Sequence, residues 1–146
     1  MAQGSTYQFP TSGWQGEAPG VILGGYLIDA NANITSDQAI KINCPARRYV
    51  IDSIWASDAS ISLTTAQGGL FTGAGKTGTT LVATTQAYSS LTAAAVNAAG
   101  SAVALTLGAG ATTSMLDVST IFFALTTAQG AASNLDIRIY IKPLYG

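Results

Sequence analysis

At 146 residues the chain is long enough for one domain with a core of its own. A net charge of −1, from six basic and seven acidic residues, leaves no electrostatic footprint for nucleic acid. With no histidine and one cysteine, His-based triads, Cys–His dyads, most catalytic zinc sites and an internal disulfide are excluded.

Charged residues make up 9% of the chain, against about 25% in an ordinary soluble domain. None falls within residues 77–116. A surface so poor in charge is tolerated best when a partner covers it, which points to a subunit of an assembly.

Residues 1–20 are Gln, Gly, Ser, Thr and Pro with scattered aromatics. Such a segment builds no core alone, and it reads as an extended arm. Tyr7, Phe9 and Trp14 are its candidate interface anchors. Residues 1–6 have neither a basic region nor an apolar run, so they are not read as a secretory signal. The folded domain is assigned to residues 21–146.

Strand signals follow. Residues 39–42 alternate. Residues 48–56 are rich in β formers, with Tyr49, Ile51 and Trp55 on one parity and Val50 and Ile54 on the other. On that reading Trp55, in mid-strand, packs in the core. Residues 60–65 alternate Ile61 and Leu63 with Ser and Thr. Residues 81–84 and 102–107 are shorter candidates. Residues 120–127 carry Ile121, Phe122, Phe123 and Leu125. In the last strand Leu135, Ile137, Ile139 and Ile141 point one way and Asp136, Arg138, Tyr140 and Lys142 the other, with Pro143 as its stop.

One short helix is expected from Ser89 or Ser90 through Leu91, Ala94, Ala95 and Ala98, ended by Gly100. Residues 92–111 have the length of a membrane span but are Ala/Gly/Ser/Thr-rich and interrupted by Asn97 and Ser101, so no span is predicted. Many short strands between Gly-rich turns indicate an all-β fold, an antiparallel sandwich or jelly roll, with that one helix and the N-terminal arm.

Leu63-Thr64-Thr65-Ala66-Gln67-Gly68 recurs as Leu125-Thr126-Thr127-Ala128-Gln129-Gly130. Two strands leaving one end of a sandwich through equivalent turns would account for it. Gly73-Ala74-Gly75-Lys76-Thr77 approaches a phosphate-binding loop, but Leu70 stands where a glycine is required and no helix is expected next. Asp29, Asn31 and Asn33 resemble the start of a calcium loop, yet Ile34 and Ile40 occupy its glycine and glutamate positions. An Asx-rich turn between strands fits better. Cys44, beside Pro45, reads as a small buried hydrophobe. The acids are dispersed, so no catalytic residue, metal site or cofactor is assigned, and the chain is read as a non-enzyme.

The run Arg48-Tyr49-Val50-Ile51-Asp52-Ser53-Ile54-Trp55, continuing through Leu63-Thr64-Thr65-Ala66-Gln67-Gly68-Gly69, resembles small structural proteins of tailed bacteriophages. So do the second Leu-Thr-Thr-Ala-Gln-Gly run and the closing strand. The resemblance covers roughly residues 20–143 and is nearest to jelly-roll capsid decoration, or cement, proteins. It implies a non-enzymatic virion protein on the capsid exterior that stabilises the lattice. Its partners would be the major capsid protein and copies of itself, a trimer being favoured, with no nucleic acid and no membrane. The arm, through Tyr7, Phe9 and Trp14, would embrace a neighbour. The alternative is a jelly-roll module of a fibre or spike that binds a receptor or glycan, for which an exposed Trp14 or Trp55 would speak.

Overall fold

The computed structural model describes residues 20–93 and 101–145. The arm expected over residues 1–20, with Tyr7, Phe9 and Trp14, lies outside the described residues except for Gly20. Eight strands carry the fold: β1 Ile22–Asn31, β2 Gln38–Lys41, β3 Arg48–Ser57, β4 Gln67–Gly73, β5 Thr77–Val82, β6 Ala102–Ala104, β7 Thr120–Thr127 and β8 Asn134–Leu144. Among the described residues there is one helical turn, α1, over Ala109–Thr112.

Strands β1-β8-β3-β6 form one sheet and β2-β7-β4-β5 the other. The pairing is antiparallel and follows one rule. First pairs with last, second with seventh, third with sixth and fourth with fifth. This is one long hairpin rolled up so that successive pairs fall in opposite sheets, which is the eight-stranded jelly roll.

The core lies between the sheets. β8 contributes Leu135, Ile137, Ile139 and Ile141, all buried, and Ile40, Leu70, Ile121, Phe123 and Leu125 of the other sheet are buried as well. Each such side chain contributes about 1.5–3 kcal/mol on leaving water. Tyr88 stands edge-on to Phe123, centroids 6.1 Å apart, and its hydroxyl donates to the Gly68 carbonyl at 3.1 Å. Gly69 is required here by proximity: a Cβ at this position would overlap the Val82 carbonyl oxygen.

Several sequence expectations are corrected. Ser89 and Ser90 lie in a turn and residues 91–93 are irregular, while residues 94–100 lie outside the described residues; the helix observed is α1, further on. Residues 60–65 form no strand, because Leu63 is tied to the connection after β5 through its amide and the Leu91 carbonyl, 3.1 Å. Pro143 does not stop β8, which runs to Leu144. Tyr49 gives both backbone groups to Leu116, so its pairing with Pro143 needs no proline N–H. On the other side β1 begins at Ile22, opposite Ile141, short of that position.

The two copies of the six-residue run are not equivalent turns. One leads into β4 and the other closes β7, and they lie against each other, with Gln67 opposite Thr127 and Gly68 opposite Leu125. Gln129 of the second copy clasps the first. Its side-chain oxygen accepts from the Thr65 and Ala66 amides, both at 3.0 Å. Its own amide donates to the Ala32 carbonyl at 2.8 Å. One residue thereby ties together the loops after β1, β3 and β7.

Burial raises both Tyr88 and Tyr49 above the ordinary tyrosine value, with the charges of Cys44 and Asp117 adding to the effect at Tyr49. In the unfolded chain these phenols lose protons near pH 10; in the folded one they do not. Folding stability is therefore full below about pH 10 and falls as pH rises above it. The expected result is a thermal midpoint that is level from pH 7 to 9 and drops above pH 10. Tyrosinate absorbance from Tyr49 and Tyr88 should appear only together with loss of the β-sheet circular dichroism.

Candidate functional site

β3 sets the surface. Ile51 pairs with Ile141, and the next pair is Ser53 with Tyr140, so Asp52 is an extra residue at a bulge. A bulge shifts the phase of alternation by one. Tyr49, Ile51, Ile54 and Ala56 are therefore all buried, while Trp55 is turned outward and is 40% exposed. The expected core role of Trp55, and its shared parity with Tyr49 and Ile51, are corrected by this one residue.

β1 is irregular in the same way, with register shifts between Leu23 and Gly25 and between Leu27 and Ala30. Leu23, Tyr26 and Ile28 are all exposed as a result. Register then assembles the outer face of the sheet row by row. Leu23 lies beside Tyr140, which lies beside Ser53. Tyr26 lies beside Arg138, then Trp55, then Ala104. Asp136 lies beside Ser57, then Ala102. Tyr26 and Trp55 are thus two strand spacings apart, roughly 10 Å, with Arg138 between them.

The Arg138 guanidinium donates to the Ser57 hydroxyl at 3.0 Å and lies 3.6 Å from an Asp58 oxygen and 3.8 Å from an Asp136 oxygen. Asp136 is buried and also accepts the Asp29 amide at 2.9 Å. Folding therefore gathers Asp29, Asp58 and Asp136, dispersed in sequence, at the end of the sheet where β3 leaves and β8 begins. Both ion pairs belong to Arg138, so the charge at the centre of the aromatic row is neutralised by Asp58 and Asp136, and the Arg138 methylene stem lies between the two rings.

Large exposed hydrophobic residues concentrate here. Of eight among the described residues, Val21, Leu23, Tyr26, Ile28 and Trp55 lie on or at the edge of this face, so it forms a patch rather than a scatter. The uncharged stretch behaves differently. Its Leu81, Val82, Tyr88, Leu91, Leu105, Ala111 and Leu116 are buried inside the chain, and Met115 is its one large exposed hydrophobic among the described residues. Most of its other described positions are exposed and hold Thr, Ser, Ala or Gly, so residues 77–116 present an uncharged polar surface around those buried side chains.

The near-matches resolve into turns. Residues 74–76 form the β4–β5 turn, with Gly75 and Lys76 both in the left-handed region and the Gly75 amide donating to an Asp37 carboxylate oxygen at 2.7 Å. A strand follows, not a helix whose amides would cradle phosphate. In the Asx segment the Asn31 side chain accepts the Asn33 amide and the Asn33 side chain accepts the Gly130 amide, each at 2.8 Å. Among the described residues no group of three or more His, Cys, Asp or Glu side chains is placed to hold a metal. Cys44 is half-buried, packed against the core. No described helix is long and apolar enough to cross a membrane.

Comparison with known proteins found no matching family model, curated protein or solved structure.

Sequence reasoning placed Arg138 on the outward face of the last strand but missed Leu23, Tyr26 and Ile28 as its surface neighbours. The Gly24-Gly25 pair and the bulges broke the alternation that would have marked β1 as a strand. The phase shift is testable in stability alone. Trp55→Ser should change the unfolding free energy by less than about 1 kcal/mol, as an outward residue does, whereas Ile54→Ala should cost about 2–5 kcal/mol. Urea titration of both variants decides between the two parities.

Proposed function

We propose that the chain is a non-enzymatic virion structural protein that decorates and stabilises a bacteriophage capsid through subunit contacts. The observation that carries this reading is the apolar row Leu23, Tyr26, Ile28 and Trp55 on one outer face of the jelly roll. Exposed apolar patches rimmed by polar groups mark contact surfaces. Aromatic residues with a flanking arginine are the residue types that anchor them. The resemblance of residues 48–69 and of the closing strand to decoration proteins supplies the virion setting.

In this reading the face packs on the major capsid protein or on copies of the chain, a trimer being favoured. Residues 1–20 add contact through Tyr7, Phe9 and Trp14, at the cost of ordering the segment. The capsid exterior is its location. The second reading, a receptor- or glycan-binding module of a fibre or spike, is favoured by one observation, the outward placement of Trp55.

Mass spectrometry of purified virions encoded with this chain should find it in a fixed ratio to the major capsid protein. Tyr26→Ala and Trp55→Ala should each weaken attachment by about 30-fold or more, as loss of a central anchor does. A chain lacking residues 1–20 should fold and fail to attach stably. Absence from purified particles, or full attachment of all three variants, contradicts the reading.

A further inference from the structure

Below the aromatic row the outer face opens into a depression of about 430 Å³. Asp29, Asn31 and Asn33 line it from the end of β1 and the loop after it, and Ser60, Ser133 and Asn134 from the loops beside β3 and β8. Its size lies within the range of small-molecule sites, roughly 300–1,000 Å³.

The walls are built by bonds that do not involve a ligand. The Asn31 and Asn33 carbonyl oxygens are occupied by the Asn33 and Gly130 amides. The Asn134 amide donates to the Ser60 hydroxyl at 2.9 Å, and the Asp29 amide to Asp136 at 2.9 Å. Asp29 itself sits at φ 56°, turned out of the regular strand path. The walls are therefore preformed, which limits the ordering cost of binding. Among the described residues the Asp29 carboxylate, the Asn134 side-chain amide and the side-chain nitrogens (Nδ2) of Asn31 and Asn33 make no hydrogen bond within the chain.

This leftover set has a defined preference. It offers a carboxylate acceptor and several amide donors, with no free cation, so it suits groups that both donate and accept. Phosphate or sulfate would meet the negative charges of Asp29, Asp58 and Asp136, offset here only by Arg138. Hydroxyl groups meet every member of the set. Arg138 lies four residues along β8 from Asn134, roughly 13 Å at strand rise, and Tyr26 and Trp55 flank Arg138. Aromatic rings beside a polar depression take the C–H face of a sugar while the polar groups take its hydroxyls.

We propose that this depression binds a neutral oligosaccharide, with Asp29 and Asn134 bonding the hydroxyls of one sugar and Trp55, roughly 13 Å or more away, stacking on a sugar at the far end of the same chain. The site goes beyond a structural role: it would give the protein an affinity for neutral polysaccharide surfaces.

The test uses the full chain with maltotriose, cellotriose, mannotriose and β-galactotriose, by saturation-transfer NMR and titration calorimetry. At least one of these trisaccharides should bind with millimolar or tighter affinity. Asp29→Asn, which keeps the left-handed backbone position favourable, and Trp55→Ala should each weaken it by 10-fold or more with circular dichroism unchanged. Tyr145→Ser, outside the depression and the aromatic row, should leave it unaltered. Sulfated and phosphorylated sugars should bind more weakly than the neutral one. No binding across the four trisaccharides, or binding indifferent to both substitutions, overturns the proposal. Asp29→Asn should leave attachment to virions unaltered, which separates failure of the sugar site from failure of the decoration reading.

Discussion

The extra residue in β3 is the constraint on which the outer surface depends. Asp52 sits where the β3–β8 ladder slips by one position, and everything after it changes face. Were Asp52 paired regularly instead of looped out, Ser53 and Trp55 would point between the sheets, Ile54 would face outward, and the outer face would lose its central aromatic ring. With it, Ile51 and Ile54 both reach the core, and Trp55 stands two strands from Tyr26 with Arg138 between them. Bulges recur beside binding surfaces because they re-aim a side chain without ending the ladder.

A second constraint comes from the closing of the roll. Three loops meet at one end of the sandwich, and Gln129 holds all three through the Thr65, Ala66 and Ala32 backbone groups. The same end carries Arg138 with its two carboxylates and the polar depression beside them. The outer face therefore rests on a rigid frame rather than on a loop, with Arg138 and Asp136 both on β8 and Asp58 one residue past the end of β3. The low charge of residues 77–116 is a property of the surface: Leu81, Val82, Tyr88, Leu91 and Leu105 are buried, but most positions around them are exposed and uncharged.

Legibility in the sequence followed regularity. β7 was readable as a continuous run of apolar β formers, Ile121 to Leu125, and β8 because its alternation is unbroken: the expected residues 120–127 coincide with β7, and the inward set of β8 is the one observed. The all-β sandwich followed from these and from the spacing of turns. β1 was hidden by two register shifts and a glycine pair, and β4 by Gln67-Gly68-Gly69, which composition reads as a turn. Those glycines are there because neighbouring backbone comes too close for a side chain, at Leu125 for Gly68 and at Val82 for Gly69. The orientation of Trp55 was not readable, since no local rule places a bulge at Asp52. The depression was half visible: the Asp29, Asn31 and Asn33 spacing marked an oxygen-rich turn, but Ser60, Ser133 and Asn134 join it only through the pairing of β1 with β8 and the loops beside them.

The measurement that bears most directly on the outer face as a contact surface is native mass by light scattering. The unaltered chain and the Tyr26→Glu/Trp55→Glu double variant would be compared at equal concentration. If this face joins copies of the chain, the unaltered protein should give about three times the 14.8 kDa chain mass and the double variant a folded monomer. Equal masses for the two proteins, whether both monomeric or both assembled, would contradict it.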